Sequence, residues 1–295
     1  MAAVMDPAVV NVTLAQPERH RSNTQRAIRR FFRQKLAVFG LGITLALVLI
    51  ALLAPFLGSS QSNLMDSNQF PSAKYPFGTD QIGKDSLSRV AFGLRTSLLV
   101  GFSAVAVACA IGITLGLIAG LKGGAADFII LRIVEVMTAF PGILFAIFLV
   151  TILGNGVRNI IIVIGLTSWV TLCRLTRGQL LTLREQEYVQ AARSLGAKES
   201  QIALRHLLPN ALPPLIVAIT LAIPAAIFAE AALSYIGIGI NEPTASLGKM
   251  VADSAAGIRV FWHLALFPTL VIALAMLGFT FIGDGLRDAL DPKQN

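Results

Sequence analysis

The sequence predicts an all-α polytopic membrane protein of six transmembrane helices, with one polar cytoplasmic loop between the fourth and the fifth. Three observations carry this. Of 295 residues, 55% are hydrophobic and only 14% charged, with a mean hydropathy of +0.72, whereas a water-soluble domain carries about 25% charged residues. Several apolar runs approach the roughly 20 residues needed to cross a hydrocarbon core about 30 Å thick. The positive residues behind the net charge of +8 gather beside those runs. That is the positive-inside signature of a membrane protein, not a phosphate-binding face. The lipid bilayer is therefore an implied partner and nucleic acid is not. Cys109 and Cys173 fall in apolar or membrane-flanking sequence without metal-ligand spacing, and read as packing residues.

Residues 1–35 form a cytoplasmic tail ending in Arg19, Arg21, Arg26, Arg29, Arg30, Arg33 and Lys35, with Met1–Gln25 expected to be poorly ordered. The first span, Leu36–Leu57, is too long for a signal-peptide core and lacks a small-x-small cleavage site. It and an external loop, Gly58–Arg95, make up segment 36–95. A transmembrane core over 96–285 and a cytoplasmic tail over 286–295 follow. The second span, about Ser97–Leu121, sets Gly112, Gly116 and Gly120 on one face for close helix packing. Lys122-Gly-Gly124 makes a tight turn. The third span, about Asp127–Leu153, brings Arg132 within reach of Glu135 and is kinked at Phe140-Pro141. A short turn at Gly154–Asn159 leads to the fourth span, about Ile160–Leu175, whose exit is marked by Arg174 and Arg177.

The stretch Glu187–Pro209 is a polar island that reads as two short helices hinged at a glycine. Val189, Ala192 and Leu195 recur at helical spacing, Gly196 supplies a C-cap tolerant of positive φ, and a second helix covers about Lys198–Leu207. Pro209 is expected to stop it. Small side chains at Ala191 and Ala192 permit close approach to a partner surface, and the alternative is an amphipathic helix lying on lipid. Arg184, Arg193, Lys198 and Arg205 fix the island in the cytoplasm. The fifth span, about Ala211–Ile240, is expected to break at Pro224 and holds Glu230. This intramembrane carboxylate lines a pathway, pairs with a partner subunit, or is protonated. After an external loop at Asn241–Val260, the sixth span runs from about Trp262 to Ile282.

Separated motifs along the chain resemble one family. Ala191-Ala192, Gly196 and Leu208-Pro209 match the Glu-Ala-Ala…Gly…Leu-Pro loop of permease subunits of bacterial ABC importers. Gln190 replaces the acidic residue of that motif, and His206 within Arg-His-Leu-Leu-Pro-Asn has the character of the peptide-importer branch. Tyr75-Pro-Phe-Gly-Thr-Asp80 with Gly83, Asp85, Ser88, Arg89 and Gly93 is similar to the N-terminal signature of the dipeptide/oligopeptide/nickel permeases. The Arg132…Ala139-Phe-Pro141 run and the Ala-Glu-Ala-Ala-Leu-Ser-Tyr-Ile-Gly stretch around Glu230 also match, as does Gly283–Pro292. Gly248-Lys249-Met250 resembles the family's Trp-Gly-x-Met segment, with Leu247 in place of tryptophan.

The resemblance implies a type I ABC importer permease, the second transmembrane subunit, in a bacterial inner membrane with both termini cytoplasmic. It also implies a coupling helix docking on a cytoplasmic ATPase through Glu187, Gln190, Ala191, Ala192, Leu195, Gly196, His206 and Pro209. The implied partners are a homologous permease, two ATPase subunits that bind ATP and Mg, and an extracytoplasmic substrate-binding protein. For Glu230 it favours a structural or gating role. Di- or oligopeptides lead the implied substrates, ahead of nickel chelates, glutathione and oligosaccharides. The chain itself has no phosphate loop of the form Gly-x-x-x-x-Gly-Lys-Ser/Thr. No cofactor, metal or catalytic residue is expected in it, since His20, His206 and His263 are scattered. A gradient-driven carrier is the competing class; it would favour paired ionisable groups at mid-membrane, where Glu230 is nearly alone.

Overall fold

The computed structural model describes residues 23–57 and 62–291. The expectation for Met1–Gln25, Arg19, Arg21 and His20 falls mostly on residues 1–22, outside the described residues. Helix begins at Asn23. The helices are α1 (Asn23–Arg33), α2 (Lys35–Leu53), α3 (Ser86–Lys122), α4 (Gly124–Ala139), α5 (Gly142–Leu153) and α6 (Val157–Arg184). They continue with α7 (Glu187–Ser194), α8 (Glu199–Ile202), α9 (Leu208–Tyr235), α10 (Leu247–Ser254) and α11 (Trp262–Leu290). Five are long and apolar enough to cross a membrane, and α4 with α5 supplies a sixth crossing if the bent pair is one span.

Several helices differ in extent from the sequence expectation. The polar stretch Ser86–Arg95 is the first part of α3, not loop. Its start signal is Asp85, whose carboxylate accepts from the backbone N–H groups of Leu87 and Ser88 at 3.3 and 3.0 Å. The 37 residues of α3 span roughly 55 Å, well beyond a bilayer core of about 30 Å, so the polar turns project beyond the membrane. Likewise α6 runs on to Arg184 rather than ending near Leu175, because buried Leu180 prolongs its apolar stripe past Arg174 and Arg177.

Proline acts differently at each site. At Phe140-Pro141 both residues are extended, and α4 and α5 meet at 91°, a break rather than a kink. The bias of a pre-proline residue toward extended backbone accounts for it. Pro209, by contrast, stops nothing. A π-helical turn at Ala203–Leu207 joins α8 to α9, closed by the Leu208 N–H donating to the Ala203 carbonyl. Pro209 then sits in the first turn of α9, where its missing N–H costs little. Nor is α9 broken at Pro224, which is buried mid-helix; packed neighbours carry transmembrane helices through such residues.

The core forms around the close pairing of α3 with α6. A Cβ added at Gly112 would meet the Trp169 carbonyl at 2.5 Å, at Gly116 the Thr176 Cβ at 2.6 Å, and at Gly120 the Leu180 Cβ at 2.8 Å. The small-residue stripe is a packing face, as its spacing predicts. Cys109 is half-buried and Cys173 buried, both free. The tight turn after α3 holds Gly123 and Gly124 at φ +62 and +54. Arg132 and Glu135 pair at 2.6 Å. A bidentate pair not foreseen from spacing, Arg177 with Asp127 at 2.5 and 2.6 Å, clamps α6 to α4.

Candidate functional site

The polar island folds as a helical hairpin with a small core of its own. Val189, Ile202 and Leu207 are buried with Leu180 of α6, and Ala192, Ala197, Leu117, Leu121 and Leu183 pack around them. The hinge is a Schellman cap. Gly196 stands at φ +83, its N–H donates to the Arg193 carbonyl at 3.0 Å, and the Ala197 N–H donates to the Ala192 carbonyl at 3.1 Å. Arg193 bridges the hinge to Glu199 at 2.8 Å, and that hydrogen bond raises the guanidinium pKa above its ordinary value.

This arrangement divides the predicted residues. Glu187, Gln190, Ala191, Leu195 and Gly196 are exposed, whereas Ala192 is half-buried against the hairpin core. Pro209 is exposed and His206 half-buried, its ring 6.2 Å from that of Tyr188. Leu195, which recurs at helical spacing with Val189 and Ala192, is 89% exposed although Val189 is buried. It is the C-cap, at φ −81 and ψ 5, where the chain leaves the helix and 3.6-residue spacing no longer directs the side chain. Leu204, 67% exposed, is a second outward leucine that the sequence reading did not single out. The hairpin thus presents apolar side chains to its surroundings while its internal core ties it to the ends of α3 and α6.

A second site lies around Glu230, which is completely buried. Its Oε2 is 2.7 Å from the Ser97 hydroxyl of α3, and its Oε1 accepts from the Ser234 and Ser246 hydroxyls, each at 2.9 Å. Ser234 Oγ also accepts from the Ile240 N–H and Ser246 Oγ from the Lys249 N–H, at 3.0 and 3.4 Å, which ties the cluster to the backbone on both sides. Ser246 is also the N-cap of α10, and a Cβ on Gly248 would overlap the Ala231 backbone. One carboxylate therefore joins α3, α9 and α10. Leu247, in the place where the family pattern has tryptophan, is fully buried and packs over Gly93.

The Glu230 network makes a separable prediction. Glu230→Gln keeps one oxygen for Ser234 and Ser246 and an NH₂ for Ser97, so its thermal midpoint in detergent stays near that of the wild type. Glu230→Leu strands buried hydroxyls at about 1–3 kcal/mol each and lowers that midpoint markedly. A Gln variant as unstable as the Leu variant would show that the charge itself, not the hydrogen bonding, holds these helices.

On the face formed by the 62–85 loop and α10, Arg89 pairs with both Asp80 and Glu242, and Lys84 reaches Glu242 at 3.2 Å. These pairs border an open cavity of about 150 Å³ lined also by Ser86, Asp253 and Ser254. The Tyr75 hydroxyl donates to Asp66 at 2.9 Å and, with Lys74, lowers its pKa below the ordinary value. Among the described residues no group of three or more His, Cys, Asp or Glu side chains is placed to hold a metal ion.

Long apolar helices, with a helical hairpin between two of them, mark a multi-pass membrane protein. Comparison with known proteins makes this specific. The family model described as "binding-protein-dependent transport system inner membrane component" matches residues 112–295, and "N-terminal TM domain of oligopeptide transport permease C" matches residues 22–72. The oligopeptide transport system permease protein OppC of Bacillus subtilis (strain 168) is 40% identical over 98% of this chain and 97% of its own. The dipeptide transport system permease protein DppC of the same organism is 43% identical over 92% and 86%. In fold the chain is similar to the inward-facing MetNI methionine ABC transporter, with a TM-score of 0.56 and 21% identity over 68% of this chain and 94% of that one. The chain belongs to the family of binding-protein-dependent transport system inner membrane components. It is a multi-pass, non-catalytic permease subunit of the inner membrane.

Proposed function

We propose that this chain pairs with a homologous permease to form the translocation pathway of an importer for di- and oligopeptides. Two separate ATPase subunits bind ATP and Mg and drive it, and an extracytoplasmic binding protein delivers the substrate. The observation that carries the reading is the exposed hairpin at 187–207, stiffened by its own core and aiming Leu195 outward. Its exposed surface through Ala191, Leu195 and Gly196, with Glu187 and Gln190 beside it, docks on the ATPase. Ala192 and His206 shape that surface from behind, and Pro209 leads into α9. Closure of the ATPases displaces the hairpin, and its contacts with Leu180, Leu117 and Leu121 transmit the movement to α6 and α3 as a rigid body.

The basic residues at 26–35 and 174–205 support a cytoplasmic position for the hairpin and both termini. Glu230 then lies in a span as a structural tie between helices that move together, rather than as a substrate contact. The peptide substrate is supported by the oligopeptide and dipeptide systems to which the relatives belong.

The test is to tag the chain, extract it in mild detergent, identify what copurifies, and reconstitute that complex with its binding protein. Recovery of a second permease and ATPases, with ATP-dependent uptake of a labelled tripeptide, is the expected result. Competition by other peptides, glutathione, nickel chelates and oligosaccharides ranks the substrates. Uptake by the chain alone without ATP would overturn the proposal in favour of a gradient-driven carrier.

A further inference from the structure

We infer that α1 is a docking surface for anionic phospholipid, lying in the headgroup region with Arg26, Arg29 and Arg33 on the lipid phosphates. At 3.6 residues per turn, Arg26, Arg29, Arg30 and Arg33 fall within a sector about 100° wide, and Ala27, Ile28, Phe31 and Phe32 fill a sector about 140° wide opposite. The helix carries no acidic residue. Its apolar face is only partly used by the protein. Phe31 is buried with Ala37 and Ala289 at the foot of α2 and α11, while Ile28 and Phe32, one turn apart, are 54% and 58% exposed.

The geometry of the junction points the same way. Gln34 is extended at φ −86 and ψ 112, so the chain turns sharply between α1 and the membrane span α2. The Gln34 side chain donates to Asp288 of α11 at 3.1 Å, fixing the corner. A basic amphipathic helix held at an angle to the first turn of a span, with two large apolar side chains uncovered, has the composition of helices that lie in the interface plane. The exposed Arg26, Arg29 and Arg33 beside a span match the charge of an anionic leaflet. The inference rests on the topology proposed above for which leaflet is met, but not for the chemistry of the contact.

The test uses the full complex, with Ile28→Cys in a Cys109→Ala/Cys173→Ala background and an environment-sensitive fluorophore at residue 28. It is reconstituted in vesicles of equal parts phosphatidylcholine and phosphatidylglycerol, with bromine on the acyl chains of one lipid or the other. Brominated phosphatidylglycerol is expected to quench at least about twofold more than brominated phosphatidylcholine, given the attraction of each arginine to anionic headgroups. Arg26→Gln/Arg29→Gln/Arg33→Gln, and separately high salt, should abolish the preference. Equal quenching by the two lipids would overturn the inference. Absence of quenching by either would also overturn it, and would show that water or a protein partner covers this face. A membrane-impermeant thiol reagent applied to Ile28→Cys in inside-out vesicles reports the topology separately. Labelling only from the opposite side would contradict the topology while leaving the lipid result standing.

Discussion

Leu195→Asp is expected to abolish ATP-driven uptake while the subunit accumulates in the membrane at the wild-type level. At 89% exposure this leucine contributes little to the packing of its own chain, so its replacement leaves the hairpin core of Val189, Ile202 and Leu207 intact. In the docking proposed above, the same side chain enters an apolar socket on the ATPase. Losing a buried leucine removes about 1.5–3 kcal/mol, and placing an unpaired carboxylate there costs several kcal/mol more. Uptake should fall at least tenfold, since about 1.4 kcal/mol corresponds to one decade. Gly196→Val should act through conformation instead, because a β-branched residue at φ +83 is strained. Unimpaired uptake by both variants would remove the hairpin from the coupling pathway.

Gly116→Leu is expected to prevent assembly of the membrane core. A Cβ at that position lies 2.6 Å from the Thr176 Cβ and 2.7 Å from the Cys173 carbonyl oxygen. The backbone carbonyl cannot yield without moving α6 as a whole. Overpacking a well-fitted core costs roughly 1–3 kcal/mol, occasionally more, and here α3 and α6 must also separate along the stripe formed by Gly112, Gly116 and Gly120. The readout is the amount of folded protein extracted in mild detergent, together with its thermal midpoint. Gly178→Leu on α6 is the control, because nothing lies within 4 Å of its added Cβ. Comparable loss from both substitutions would mean that bulk in these spans, rather than the α3–α6 contact, is what the protein rejects.

Features governed by local spacing were legible in the sequence. The small-residue stripe of α3, the Arg132–Glu135 pair, the glycine turn at 123–124 and the positive φ of Gly196 each depend on residues within a few positions of one another, and each is present. The family followed from motifs of the same short range. What the sequence hid is set by residues far apart in the chain. Ser97 is 133 positions from Glu230 and Asp127 is 50 from Arg177, so neither partner was visible beside its charge.

Proline misled for a related reason. Its local rule is firm, but Pro209 and Pro224 sit where a π-turn and packed neighbours absorb the missing donor, whereas Pro141 turns the chain through 91°. The direction of Leu195 was hidden because it depends on the cap that Gly196 forms, not on the helical period. One signal could have recovered the true start of α3: Asp85 followed by Val90, Ala91, Leu94 and Leu98 reads as an N-cap before an apolar helical face.

The most direct measurement is a cross-link. Leu195→Cys is placed in the Cys109→Ala/Cys173→Ala background, and the purified complex is treated with a short polar bismaleimide with and without ATP. The expected result is a covalent product of this chain with an ATPase subunit, its yield changing with nucleotide and absent when residue 195 is leucine. If Leu195→Cys labels freely, yet never joins an ATPase in a complex that transports, the hairpin is not where ATP hydrolysis is coupled to this subunit.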